Sequence, residues 1–463
     1  MNSIWDSNLL KKVINAKSNK SWEAKGLQID SRKVKKGDLF FALKGDKHDG
    51  HDYIGEAVKN GASVCLIANK KKDLKNTTYA FVNNVVDALE NMAVYARKRS
   101  LAKFIGITGS VGKTGTKEML KTSLSNVSYT FANESSFNNH IGVPLTLSRI
   151  PEQAKYCILE LGMNRKGEIN KLSKLVKPDV AIITAVEKSH LSGLKNLKNI
   201  AFAKSEILNY LKKDGCLIFN YDTNYSDIFT SKAKKLGINN IITYGTSNNV
   251  DIRLIKLEKE NKLYSVTVNF FGKYLSWKMP FNGEHWIYNS MSALALAKYF
   301  QIDLEKILHG LSLFQVPEGR GNKSNLKYKN NIFTIIDDSY NSNPASLTAA
   351  LNNLNKNKCT GKKILVLGDM LELGKDSLKI HKEFKTTIEE INLGIIFTVG
   401  KYMKALNKSL NKNLKKYHED DLNEVFLSLK ALVKNGDLIL IKGSNSIKLK
   451  EIVIKMFREF DTI

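Results

Sequence analysis

Between the apolar run KFIGIT and a helix-period segment stands Gly109-Ser110-Val111-Gly112-Lys113-Thr114-Gly115, whose residue types and order suit a polyphosphate. Glycine lets backbone N–H groups approach phosphate oxygens closely, and a helix that starts here points its positive end at the anion. Lys113 would reach the β and γ phosphates, and the Thr114 hydroxyl would bind Mg²⁺. The strict G-x-x-x-x-G-K-[ST] pattern is not met, because Ile107 occupies the place of its first glycine. The shorter Thr-Gly-Ser-x-Gly-Lys-Thr form, set between strand and helix, still predicts nucleotide binding over a chance glycine turn.

A phosphate loop alone leaves helicase, kinase, GTPase and ligase open. Its company discriminates. YCILELG ends an apolar run in Glu160, well placed to coordinate Mg²⁺; DVAIITAVEKSH ends in His190; AFAKSEI carries Lys204. Singly these are weak, since a histidine after a strand is more often a surface residue and a lysine often sits in an outward ion pair. Their order after the loop makes the case.

The elements that must position these groups divide into three regions. Residues 1–100 mix short strands (GDLFFALKG, SVCLIA, TYAFV) with helical segments and end in an amphipathic connecting helix, VVDALENMAVYARKR over 85–99. Residues 101–316 carry apolar runs separated by helical patterns, the signature of a buried parallel sheet, and Leu120, Leu124 and Val127 make one stripe on the helix after the loop. Over 250–280 the pattern alternates, predicting appended antiparallel hairpins. Residues 317–463 repeat strand and helix (NIFTIIDDS, KKILVLGDM, LGIIFTVG, GDLILIKGS), and ligands of such sheets gather at the carboxyl ends of the strands. Asp337 and Asp338 sit at one such end.

Composition narrows the classes. At 463 residues the chain exceeds one ordinary core. No apolar run approaches the roughly 18 residues of a membrane span, and the opening residues lack an export pattern. Four scattered cysteines without CxxC spacing argue against a disulfide framework or structural zinc and predict a cytoplasmic protein. The charge of +27 is spread along the chain, which favours solvated lysines over a nucleic-acid groove and suits anionic small substrates.

Taken together the motifs resemble the Mur ligase superfamily, ATP-dependent amide ligases that build the cell-wall peptide. The likeness runs through nearly the full length. IDSRKVKKGDLFFALKGDKHDGHDYIGEAVKNGA resembles the family's amino-terminal uridine-nucleotide domain, marked by Asp30-Ser31-Arg32 and Asp49-Gly50-His51. SFNNHIGVPLTL, ELGMNRKGEI, NGEHWIYNSMSALALA, EGRGN, IIDDSYNSNPASLTAAL and VLGDMLELG follow in the family's order. The resemblance implies an α/β chain of three domains: a small uridine-nucleotide domain, a central P-loop ATPase-type parallel sheet and a Rossmann-like last domain. It further implies that Asn289 and Arg320 contact ATP, that Thr114, Glu160, His190 and Lys204 hold two Mg²⁺ ions, and that Lys204 is carboxylated by CO₂. Lys113, Lys204 and His190 would be catalytic, while Asp30, Ser31, Arg32, Asp49, Gly50, His51, Asn138, Asn139 and Asp338 would meet substrate. NSNPAS replaces the Asp-Asn-Pro-Arg motif of the sister ligase that adds a third residue. The implied substrates are therefore a UDP-N-acetylmuramoyl tripeptide and D-alanyl-D-alanine, joined by a monomer without nucleic-acid partners. Val111 and Gly115 depart from the Asn or Ser and the Thr or Ser common in relatives.

Overall fold

Buried parallel strands need apolar residues on both faces and crossover helices between them, and three sheets of this kind, with antiparallel additions, organise the chain. The computed structural model describes residues 3–70, 74, 76–134, 137–188, 191–260, 263–279 and 283–463. Among these residues a nine-stranded central sheet runs in the order Lys273–Met279, Leu263–Phe270, Ile252–Glu260, Asn240–Gly245, Cys216–Asn220, Val180–Ile183, Lys103–Thr108, Tyr156–Glu160, Thr130–Ala132. Lys103–Thr108 lies between two parallel neighbours, with Ile107 opposite both Glu160 and Ile182. That register carries the phosphate loop and Glu160 out of the same sheet edge.

The predicted hairpins over 250–280 are present, and they extend the central sheet: Ile252–Glu260 pairs parallel to Asn240–Gly245 before the two antiparallel strands follow. The strands Thr130–Ala132, Cys216–Asn220 and Asn240–Gly245 were not among the runs singled out in the sequence. On the helix Lys113–Ser125, Leu120 and Leu124 are buried as predicted, but Val127 lies past the helix end and is only half-buried.

A five-stranded sheet near the amino terminus leads into the helix Val85–Arg99, capped by the Asn84 side chain on the N–H groups of Val86 and Asp87. One continuous core joins Trp5, this helix and one face of the central sheet. Polar contacts fix the junction: Trp5 Nε1 donates to Ser148 O at 2.9 Å, and the Arg97 guanidinium lies 3.7 Å over Phe104 while donating to Val176 O and Lys177 O.

The last sheet has seven strands, in the order Lys415–His418, Leu393–Val399, Lys363–Gly368, Leu438–Lys442, Asn331–Asp338, Asn322–Tyr328, Asp461–Thr462. Its first five are parallel, and Asp338 stands opposite Lys442. The helix Pro344–Lys356 follows with Leu347, Leu351 and Leu354 buried, as their spacing predicts. Among the described residues no helix is long and apolar enough to cross a membrane.

Candidate active site

The loop begins where Thr108 ends its strand and closes at Gly112, whose φ of 84° lies in the left-handed region and serves as the cap of the helix Lys113–Ser125. Gly109 has no room for a side chain: a Cβ there would fall 1.8 Å from Thr184 Oγ1. That hydroxyl donates to Val111 O at 2.6 Å, and Ser110 N donates to Ala185 O at 2.8 Å, so the loop is buttressed by the neighbouring strand's end. Gly115 is equally confined. A Cβ there would meet the Trp286 ring at 2.5 Å, so the indole fills the space a larger residue would need.

Lys113 Nζ donates to Gly109 O at 2.8 Å, folding back over the loop. Burial lowers its pKa, the Glu160 carboxylate works against that, and Arg320 adds to it. Glu160 is 2 % exposed and accepts from Thr114 Oγ1 and Asn138 Nδ2, each at 2.8 Å. A hydroxyl and a buried carboxylate at the mouth of a phosphate loop are hard oxygen donors of the kind Mg²⁺ takes, with phosphates and waters completing its shell. Asn289, on the helix Glu284–Phe300, is buried against Gly112 and Gly115, and its Nδ2 has no hydrogen-bond partner among the described residues. A buried donor left unmade is costly, and a nucleotide at the loop would satisfy it.

Lys204, on the helix Leu197–Ser205, is 1 % exposed. The outward ion pair that sequence left open is absent: among the described residues no acid comes within salt-bridge distance of its ammonium. Burial, reinforced by the Lys113 charge, holds its pKa well below the ordinary lysine value. His190 lies outside the described residues.

From the last sheet, Arg320 Nη2 donates to Thr114 Oγ1 at 2.9 Å while its guanidinium stacks 4.2 Å from the Tyr340 ring centroid. Asp338 accepts from Lys442 Nζ at 2.7 Å; burial raises the Asp338 pKa and Lys442 opposes the rise. Asp337 is turned away and accepts from Ser339 N and Oγ. A cleft of about 990 Å³ between the two sheets is lined by the loop together with Asn138, Glu160, Lys204, Asn289, Arg320 and Asp338.

Asn139 also lines the cleft, but its Oδ1 accepts from Ile141 N and Gly142 N, in the turn that leads into the helix Gly142–Ser148. The amino-terminal candidates stand apart from this cleft and meet each other instead. The turns Ser31–Lys33 and Gly50–Tyr53 both pack on the helix Ile54–Lys59, where Ser31 Oγ donates to Glu56 Oε2 at 2.5 Å. Asp30 receives the Arg32 side chain, which is 77 % exposed. Both nitrogens of His51 are spent on the fold: Nδ1 pairs with Asp49 Oδ1 at 2.6 Å, and Nε2 accepts from Ala68 N and Asn69 N. Sequence reasoning missed Thr184, Trp286, Tyr340 and Lys442, whose roles depend on contacts between segments far apart in the chain.

Three family descriptions match in series: "Mur ligase family, catalytic domain" over residues 23–105, "Mur ligase middle domain" over 107–297, and "Mur ligase, glutamate ligase domain" over 325–445. The chain is 34% identical over 450 residues to the UDP-N-acetylmuramoyl-tripeptide--D-alanyl-D-alanine ligase of Rickettsia prowazekii, covering 97% of this chain and 99% of that one. Its likeness to the Bacillus subtilis ligase of the same name is 34%, covering 92% of each. Among solved structures, MurF from Acinetobacter baumannii superposes with a TM-score of 0.83 at 28% identity over 98% of this chain and 99% of that one. MurF from Thermotoga maritima in complex with ADP gives 0.75 at 26% identity over 94% and 97%. With the loop, its carboxylate and the three sheets matched in series along the sequence, the chain belongs to the Mur ligase family.

Proposed function

We propose that this chain joins D-alanyl-D-alanine to a UDP-N-acetylmuramoyl-tripeptide, the pair that the names of its relatives state for them, and that it does so at the expense of ATP, releasing ADP and phosphate. The observation that carries the reading is the chain of contacts from Arg320 through the Thr114 hydroxyl to Glu160 and Asn138, at the mouth of a phosphate loop. A free carboxylate is a poor acyl donor. Its oxygen attacks the γ-phosphorus, the β–γ bond breaks, and the acyl phosphate so formed loses phosphate when the incoming amine attacks its carbonyl carbon and gives up a proton.

The residues supply position and charge. Lys113 leaves Gly109 O for the transferring phosphoryl group, loop N–H groups 109–112 hold the β-phosphate, and Asn289 and Arg320 take the nucleotide from either side. Mg²⁺, held by Thr114 and Glu160 and at a second position by His190 and Lys204, would neutralise the charge that develops on the phosphoryl oxygens. A neutral, buried Lys204 amine is the form that reacts with CO₂, and its carbamate would offer an anionic oxygen to the metal where an ammonium would repel it. Asp30, Ser31, Arg32, Asp49 and Gly50 receive the uridine nucleotide, with His51 holding their turn. Asn138 and Asp338 face the peptide and its partner.

The functional division follows the sheets: 1–100 for the UDP substrate, 101–316 for ATP and 317–463 for the incoming dipeptide. The protein works as a cytoplasmic monomer in peptidoglycan synthesis, and through it in cell shape and division. The test is phosphate release by purified protein with ATP and UDP-tripeptide, with and without D-alanyl-D-alanine. Release that requires the dipeptide supports the reading, whereas release driven only by a single amino acid would assign a different Mur-type acceptor.

A further inference from the structure

Lys117 follows Thr114 by three residues on the helix Lys113–Ser125 and is fully buried, yet it does not line the cleft. Its Nζ donates to Asn133 O at 2.6 Å and pairs with Glu118 at 2.8 Å. Burying a lysine is expensive unless its donors are used, so a position kept for one implies that the contact it makes matters. Asn133 is itself 2 % exposed and fully committed. Its Oδ1 accepts from Glu160 N at 3.0 Å, and its Nδ2 donates to Phe137 O at 2.9 Å, one residue before Asn138. The backbone of Glu160 and the segment that delivers Asn138 to the Glu160 carboxylate are therefore both tied to one side chain, and Lys117 ties that residue to the helix bearing Thr114.

We infer that Lys117 and Asn133 form a clamp that sets the Glu160 carboxylate at hydrogen-bond distance from Thr114, and so are positioning residues for the divalent cation. Neither lines the cleft. The inference rests on the proposed assignment of Thr114 and Glu160 to Mg²⁺. Residues that orient a metal ligand affect metal affinity about 10- to 100-fold when removed.

The test compares Lys117→Met and Asn133→Ala with the parent by two titrations: Mn²⁺ affinity in the presence of saturating ADP, read from free Mn²⁺ by electron paramagnetic resonance, and metal-free ADP affinity. The clamp predicts Mn²⁺ binding weakened about tenfold or more, with metal-free ADP binding nearly unchanged in whichever variant folds. Parent-like Mn²⁺ affinity in folded Lys117→Met or Asn133→Ala, or an equal loss in both titrations, overturns it. Glu160→Gln separates the two layers of argument. If it too binds Mn²⁺ like the parent, the metal assignment falls and takes the clamp with it; if it alone loses Mn²⁺, only the clamp falls.

Discussion

At the scale of single residues, two lysines of the same cleft call for opposite chemistry. Lys113 must stay cationic, and even a single uncharged donor removed from a site of developing negative charge costs about 10²- to 10³-fold in rate. Lys113→Ala should therefore abolish measurable ATP-dependent phosphate release while leaving UDP-tripeptide affinity in place, as separate titrations of the two ligands would show. Lys204→Ala should lower ligation steeply, with partial recovery on adding a short carboxylic acid; full activity without it would remove Lys204 from the mechanism. A lysine with a depressed folded pKa also destabilises the fold. Below the unfolded value of 10.5 the unfolded chain binds a proton that the buried amine does not, so the penalty is largest at low pH and fades as pH rises toward 10.5. In CO₂-free buffer Lys204→Met should accordingly melt higher than the parent, and by more at pH 6 than at pH 9. Equal melting shifts at both would mean that burial does not hold the amine neutral. The sequence showed Lys204 and Glu160 as candidates by their order after the loop, but whether the lysine pointed inward depended on packing that no local pattern encodes. Asn138 and Asn139 make the same point: adjacent and identical, one reaches Glu160 and the other is spent on backbone N–H groups of the next turn.

At the scale of elements, the phosphate loop works because the strand end beside it leaves no slack. Thr184 Oγ1 fills the space over Gly109 and grips Val111 O, so Gly109→Ala must push the threonine away and release the loop. The expected result is a loss of ADP affinity, with Thr184→Ala in the same chain restoring part of it by removing the clashing oxygen. A double variant that binds ADP no better than Gly109→Ala would show that the loss has another origin. The repeating strand-and-helix pattern of the last region and the helix Val85–Arg99 were legible from periodicity, because that is a local signal. The strand Lys415–His418 was not, since its residues KKYH carry no apolar run to mark it. Register is likewise invisible in sequence, and register is what brings Glu160 beside the loop.

At the scale of the whole molecule, the cleft is closed by a contact between segments more than two hundred residues apart. Arg320 arrives on the last region's side, is held flat by Tyr340, and donates to the Thr114 hydroxyl that also donates to Glu160. Hydrogen bonds to charged groups contribute about 1.5 to 3 kcal/mol, which is about tenfold or more in the ratio of closed to open molecules. Closure of this kind excludes water and assembles groups from different domains around the transferring phosphoryl. Arg320→Ala should therefore give the ligand-free protein a larger radius of gyration in solution scattering and weaken ADP more than UDP-tripeptide, whose candidate residues lie on turns of the amino-terminal region. Arg320→Lys keeps the charge but loses the planar fork that lets one side chain stack on Tyr340 and reach Thr114 together, so it should fall between the two. A parent-like radius of gyration in Arg320→Ala, combined with unchanged ADP affinity, would sink the assignment of this arginine as the link between nucleotide and domain closure.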